Sequence, residues 1–281
     1  MNWLLEPLGF EFMQQALIIG LLVSVPAAAM SCLLVLKGWS LMGDAVSHAV
    51  LPGIVGAFLL GIPVAIGAFL AGLFCAVATG FLEENSRLKE DTVMGVVFSG
   101  MFALGMILFT YVRTNIHLDD VLFGNILGVN WQDVLETGIV TTIVLTVFMV
   151  RSRDIMLFAF DPQQANIVGI NTRLLHYLLL IMLSLVIVAS MKAVGIILVI
   201  AVLIAPGAIA FLLTDRFDQM LLIAILVALF CTLSGVIMSY HVNSATAPTI
   251  VVLMSLVFIA AFLFAPKRGV LKRSELTLDV K

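Results

Sequence analysis

Residues 193–213 read AVGIILVIAVLIAPGAIAFLL, twenty-one consecutive positions without a charged side chain. As a helix rising about 1.5 Å per residue, such a run covers about 30 Å, the thickness of a bilayer's hydrocarbon core. Working outward from it, further apolar windows fall at 14–36, 45–61, 63–82, 93–112, 133–150, 174–191, 219–240 and 247–265. The expected fold is an all-α membrane protein, a polytopic bundle of nine transmembrane helices. Only Gly61-Ile62-Pro63 separates the second window from the third, so a re-entrant element there would reduce the count to eight.

Composition agrees. Of the 281 residues 62% are hydrophobic and 11% charged, and the mean hydropathy is +1.20, whereas soluble domains are about half apolar and a quarter charged. One membrane domain is expected over residues 1–265, followed by a polar cytoplasmic tail over 266–281, with Pro266 ending the last helix and Lys267 and Arg268 at the interface. The opening MNWLLEPLGFEF has no Lys or Arg, so no cleaved secretory signal is expected. Cys32, Cys75 and Cys231 lie in apolar runs without CxxC spacing and read as small membrane hydrophobes. A net charge of -3 without a basic, aromatic-laced stripe gives nucleic acid nothing to bind.

Charge position is more informative than charge total. With nine spans and a cytoplasmic C-terminus, Lys37, Arg87, Lys89, Arg151, Arg153, Arg173, Arg216, Lys267, Arg268, Lys272, Arg273 and Lys281 lie inside, leaving only Arg113 and Lys192 outside. Twelve against two predicts N-terminus out and C-terminus in. Two connections are too long for simple turns, 113–132 outside and 151–173 inside.

The stretch GWSLMGDAVSHAVLPG, residues 38–53, breaks the apolar pattern with an acid, a hydroxyl and an imidazole. If 43–52 is helical, Asp44 and His48 stand four apart on one face, close enough to touch or to share a ligand. A carboxylate oxygen and an imidazole nitrogen suit Mn, Fe or Zn ions. The blander alternative places both near the inner interface beside Lys37, with Asp44 capping a helix and His48 bonding a carbonyl. On the inner side, FDPQQANIVGI (160–170) reads as a short helix with Asp161 as N-cap, Pro162 in its first turn and Gly169 as its stop. Such a helix either docks a partner or simply closes a loop.

Three motifs resolve these alternatives together. Gly43-Asp44-Ala45-x-Ser47-His48-Ala49-x-Leu51-Pro52-Gly53, then Asp161-x-x-x-Ala165-x-x-x-Gly169, then Gly195-x-x-Leu198 through Ala205-Pro206-Gly207-Ala208 resemble, in order, the permease subunits of metal-ion ABC importers. The likeness runs over roughly residues 10 to 268 and is strongest to the manganese and chelated-iron type of Gram-negative bacteria. It implies a two-permease pore in the inner membrane, with a second copy or a paralogue as the other half. It also implies a periplasmic metal-binding protein that feeds the pore and two cytoplasmic ATPase subunits that drive it. Asp44 and His48 match the pore residues that contact the metal, and Asp161, Ala165 and Gly169 fall in the coupling helix that sits in a cleft of the ATPase.

The residues fit that division of labour. No G-x-x-x-x-G-K-[ST] loop and no catalytic constellation is present, so ATP is expected on the partner, and no cofactor is expected to be held permanently. The transported ion would be Mn2+, Fe2+ or Zn2+. A proton-coupled secondary transporter or a channel is the rival reading. An intramembrane metalloprotease lacks its H-E-x-x-H. His117, Asp119 and Asp120 suit contact with a periplasmic protein or plain solvation. His176, His241 and Lys192 read as span-end residues that snorkel, and Gly67-Ala68-x-x-Ala71-Gly72 as a close-packing face.

Overall fold

The structure is a computed structural model and describes residues 9–86, 88, 90–111, 124 and 126–265. Arg113, His117, Asp119 and Asp120 and the tail from Pro266 lie outside the described residues, as do the side chain of Lys192 and the basic residues Arg87 and Lys89. Among the described residues ten helices follow in order: α1 (Glu11–Lys37), α2 (Met42–Ala49), α3 (Leu51–Leu60), α4 (Val64–Asn85), α5 (Glu90–Tyr111), α6 (Trp131–Phe160), α7 (Pro162–Ile167), α8 (Thr172–Leu213), α9 (Phe217–Val242) and α10 (Thr246–Phe264). A 3-10 turn at Ile126–Gly128 precedes α6.

Nine helical segments among the described residues are long and apolar enough to cross a membrane. The second is α2 and α3 together, Met42–Leu60, meeting at Val50, whose backbone stays helical (φ -68°, ψ -25°). Gly61 in the left-handed region (φ 67°) and Pro63 then turn the chain into α4.

The 42-residue stretch α8 supplies two spans, because Gly195 leaves helical geometry (φ 75°, ψ 165°). The contacts on either side of it show a reversal. Leu179, Leu180 and Leu183 line one small cavity with Met30, Leu33 and Leu34 of α1, and Ile204 and Gly207 come back to Ser31 of the same helix. Gly124 abuts Gly195 so closely that a Cβ there would meet backbone atoms. A positive φ selects glycine at both positions, and at Gly124 lack of room does so as well.

α1 is the central post, flanked by α6, α8 and α9. Ser24 and Thr232 hydroxyls meet at 2.8 Å inside this core, and the Thr141 hydroxyl donates to the Leu22 carbonyl at 2.8 Å. These are the interhelical hydrogen bonds expected where no water can satisfy a hydroxyl. The remaining layer, α2 to α5, leans on α8 through α2 and α4. α3 and α4 run antiparallel with Gly53 and Gly67 backbone to backbone, and Gly72 receives Val46 and Val50, which makes the Gly67–Gly72 segment the close-packing face its composition predicted. Cys32, Cys75 and Cys231 are free and buried.

Two readings need correction. Residues 151–160 are not a loop: α6 runs on helically to Phe160, with Arg151 and Asp154 paired at 3.2 Å. Its thirty residues reach about 45 Å, so the last turns project past a core of about 30 Å. His176 does not snorkel either. Its ring packs edge-on against Trp39 at 5.1 Å with Nε2 turned inward over Gly80, in a cavity that Lys37 and Glu83 also line.

Candidate functional site

α2 is short, polar for a membrane helix and wedged between α4, α5 and α8. The Ser47 hydroxyl donates back to the Gly43 carbonyl at 2.6 Å, which buries that hydroxyl without needing another partner. Gly43 lies against Leu203 of α8, where a Cβ would come within 3.2 Å of the leucine side chain. That contact presses one face of α2 into the bundle and leaves Asp44 and His48 on the other.

One helical turn apart, the two side chains meet: His48 Nε2 lies 3.3 Å from Asp44 Oδ1. Neither is buried, with 28% of the His48 and 37% of the Asp44 side chain open. The imidazole sits against Phe102 (5.6 Å, edge-to-face) and Phe98 (6.2 Å) of α5. These two phenylalanines give the depth. They follow Glu90, the start of α5, by roughly eight and twelve residues, placing His48 about 12–18 Å along a helix about 33 Å long. Val46 and Val50 are level with Gly72 and Ser184, also mid-helix positions. The pair is therefore level with the middle of α4 and α5 and not with the end of α1 at Lys37, and Asp44 caps no helix: the N-cap of α2 is Leu41, with no side-chain cap.

Chemically, an acceptor oxygen and an imidazole nitrogen at this spacing can share a proton or hold one cation between them. No group of three or more His, Cys, Asp or Glu suited to a metal occurs among the described residues. Among the described residues the site has two such ligands, fewer than a divalent transition ion takes.

At the end of the bundle that carries Lys37, α7 has the capped geometry its sequence predicted. Asp161 Oδ1 accepts from the Gln163 and Gln164 amides at 3.0 and 2.9 Å. Gly169 turns the chain at φ 88°, and Asn171 then caps α8 by accepting from the Leu174 amide at 3.0 Å. Ala165 is wholly buried in the core, whereas Ile167 and Val168 are 85% and 65% exposed. The seat and the presented surface of α7 are thus different residues. Beside it, Lys37 Nζ lies 4.3 Å from the Trp39 ring centre and 3.7 Å from that of Phe158, which ties the end of α1 to that of α6.

The model of the ABC 3 transport family matches residues 9–265. The chain belongs to that family. Among its relatives, a probable iron transport system membrane protein of Haemophilus influenzae is 52% identical over 95% of this chain and 98% of its own length. The manganese transport system membrane protein MntB of Synechocystis is 46% identical over 96% of this chain and 88% of its own. The solved structure of PsaBC from Streptococcus pneumoniae in complex with Fab superposes with a TM-score of 0.85 at 36% identity, covering 94% of this chain and 96% of that one. As an ABC 3 family member the chain is a transport subunit that spans the membrane several times.

Sequence reasoning missed Phe98 and Phe102. Their spacing of four marks a helix face, but nothing in the sequence links α5 to α2. It also missed Ser31, which accepts from the Gly207 amide at 2.9 Å and donates to the Ile204 carbonyl at 3.1 Å, bracing α8 on both sides of Pro206.

Proposed function

We propose that this chain is the membrane-spanning permease subunit of an ATP-driven importer of divalent transition-metal ions, with Asp44 and His48 contacting the ion on its way. The observation that carries this reading is a carboxylate and an imidazole 3.3 Å apart, partly open, level with the middle of the neighbouring helices α4 and α5. An ionised Asp facing lipid there costs on the order of 3 kcal/mol, so an open one belongs beside a wet passage or a partner. A second permease, a copy or a paralogue, brings matching ligands to the same passage. Two carboxylates and two imidazoles make a set that Mn2+, Fe2+ and Zn2+ all accept. The names of the iron and manganese relatives favour Mn2+ and Fe2+ as cargo.

The remaining parts follow from location. The chain lies in the bacterial inner membrane with its N-terminus out and its C-terminus cytoplasmic, as its basic residues favour. Cytoplasmic ATPase subunits engage α7, whose Asp161 cap and Gly169 turn hold it rigid while Ala165 seats it on the bundle. Their nucleotide-driven closure tilts the helices and alternates access to the pair. A periplasmic metal-binding protein delivers the ion to the opposite face.

The test is uptake of Mn2+, Fe2+ and Zn2+ by vesicles containing the purified assembly, with and without ATP, for wild type, Asp44→Ala and His48→Ala. ATP-dependent uptake that both substitutions abolish at normal expression is expected. Uptake without ATP contradicts the importer and favours a secondary transporter or channel; wild-type uptake by both variants removes the pair from the mechanism.

A further inference from the structure

His48 is confined by two phenyl rings from another helix, and the confinement is built. Phe98, Phe102 and Gly105 stand at i, i+4 and i+7 of α5, one continuous face. Gly105 sits so close to Pro52 that a Cβ there would lie 2.9 Å from its nitrogen and Cδ and 3.0 Å from the Leu51 Cβ. This contact fixes the approach of α5 to the α2–α3 junction, one turn from where Phe102 meets the imidazole edge-to-face at 5.6 Å with an interplanar angle of 81°. Phe98 lies at 6.2 Å. With a phenyl at each of these places and Asp44 at Nε2, the ring has little freedom to swing about its side-chain torsions.

From this geometry we infer that Phe98 and Phe102 are positioning residues for ion recognition: they hold the His48 imidazole with Nε2 facing Asp44, so that the two ligands meet an arriving cation pre-aligned. The inference rests on the reading of His48 as an ion ligand. Its physical basis is twofold. Edge-to-face ring pairs contribute beyond their buried area, and a ligand already in its bound rotamer loses less freedom on binding. α5 is also the least buried of the described spans and packs chiefly on α2, α3 and α4. Any shift of α5 relative to α2 would therefore change the hold on His48 directly.

The experiment measures Mn2+ affinity of the assembled transporter, without the delivery protein, from the loss of the free-ion paramagnetic signal on titration. Wild type is compared with Phe98→Leu, Phe102→Leu, Phe102→Tyr, His48→Ala and the double variant His48→Ala/Phe102→Leu, with ATPase activity as the check on assembly. Each leucine variant is expected to weaken Mn2+ binding roughly two- to tenfold. Tyrosine at 102 retains wild-type affinity, and Phe102→Leu adds no further loss once His48 is gone. Wild-type affinity in both leucine variants, or an equal loss from Phe102→Leu in the His48→Ala background, overturns the inference. Wild-type affinity in His48→Ala sinks the ligand reading itself, so the two failures are distinguishable.

Discussion

Gly53 and Gly67 hold α3 and α4 together, and Gly53→Ala tests that contact. A Cβ built on Gly53 collides with the Gly67 carbonyl oxygen and lies 2.6 Å from Ala71 Cβ and 2.7 Å from the Gly67 carbonyl carbon. Carbon atoms rest at about 3.5–4.0 Å, so the helices must part by roughly 1 Å. The obstacle is backbone on one side and a Cβ on the other, neither of which can rotate away. Overpacking of this kind costs about 1–3 kcal/mol, and a rigid obstacle puts the expectation at about 2–3. Gly56 supplies the control: nothing lies within 4 Å of a Cβ there, so Gly56→Ala should gain up to about 1 kcal/mol of helix propensity. Equilibrium unfolding of the purified chain in mixed detergent and SDS micelles measures both. Gly53→Ala matching wild type, or Gly56→Ala as damaging as Gly53→Ala, would refute the packing argument.

Three further perturbations address other parts. Asp161→Ala removes the acceptor for two amides at the start of α7 and should cost about 1 kcal/mol locally; hydrogen exchange at Gln163 and Gln164 should quicken several-fold, and unchanged protection would deny the cap. Ile167→Glu lies on the presented side of α7, so the unfolding midpoint should stay within about 0.5 kcal/mol of wild type while co-purification of the ATPase falls; full co-purification would detach α7 from coupling. Ser31→Ala leaves the Gly207 amide short of a buried acceptor beside Pro206, with an expected loss of about 1–3 kcal/mol in the same unfolding assay. A wild-type midpoint there would mean that the amide finds another acceptor.

The nine spans were legible because lipid demands about twenty apolar residues per helix, and a hydropathy window reads that demand directly. Its errors have one cause. Charged residues end a window without ending a helix, so Arg151 and Arg153 concealed the continuation of α6 to Phe160, and Asp44 moved the apparent start of the second span from 42 to 45. The Asp44–His48 contact was legible because i and i+4 lie on one helix face, a local relation. Their depth was not: it depends on Phe98, Phe102 and Gly72, which belong to other helices. His176 read as a snorkelling residue because its partner Trp39 is more than a hundred residues away in sequence, beyond any local pattern.

The central claim is that a divalent cation passes between Asp44 and His48 on its way across the membrane. Anomalous diffraction from crystals of the assembled transporter loaded with Mn2+ tests it most directly. The account predicts a peak at mid-membrane within bonding distance, about 2.0–2.3 Å, of an Asp44 carboxylate oxygen and His48 Nε2. Both side chains turned to lipid or sealed in a dry interior, with the metal bound elsewhere, would contradict it.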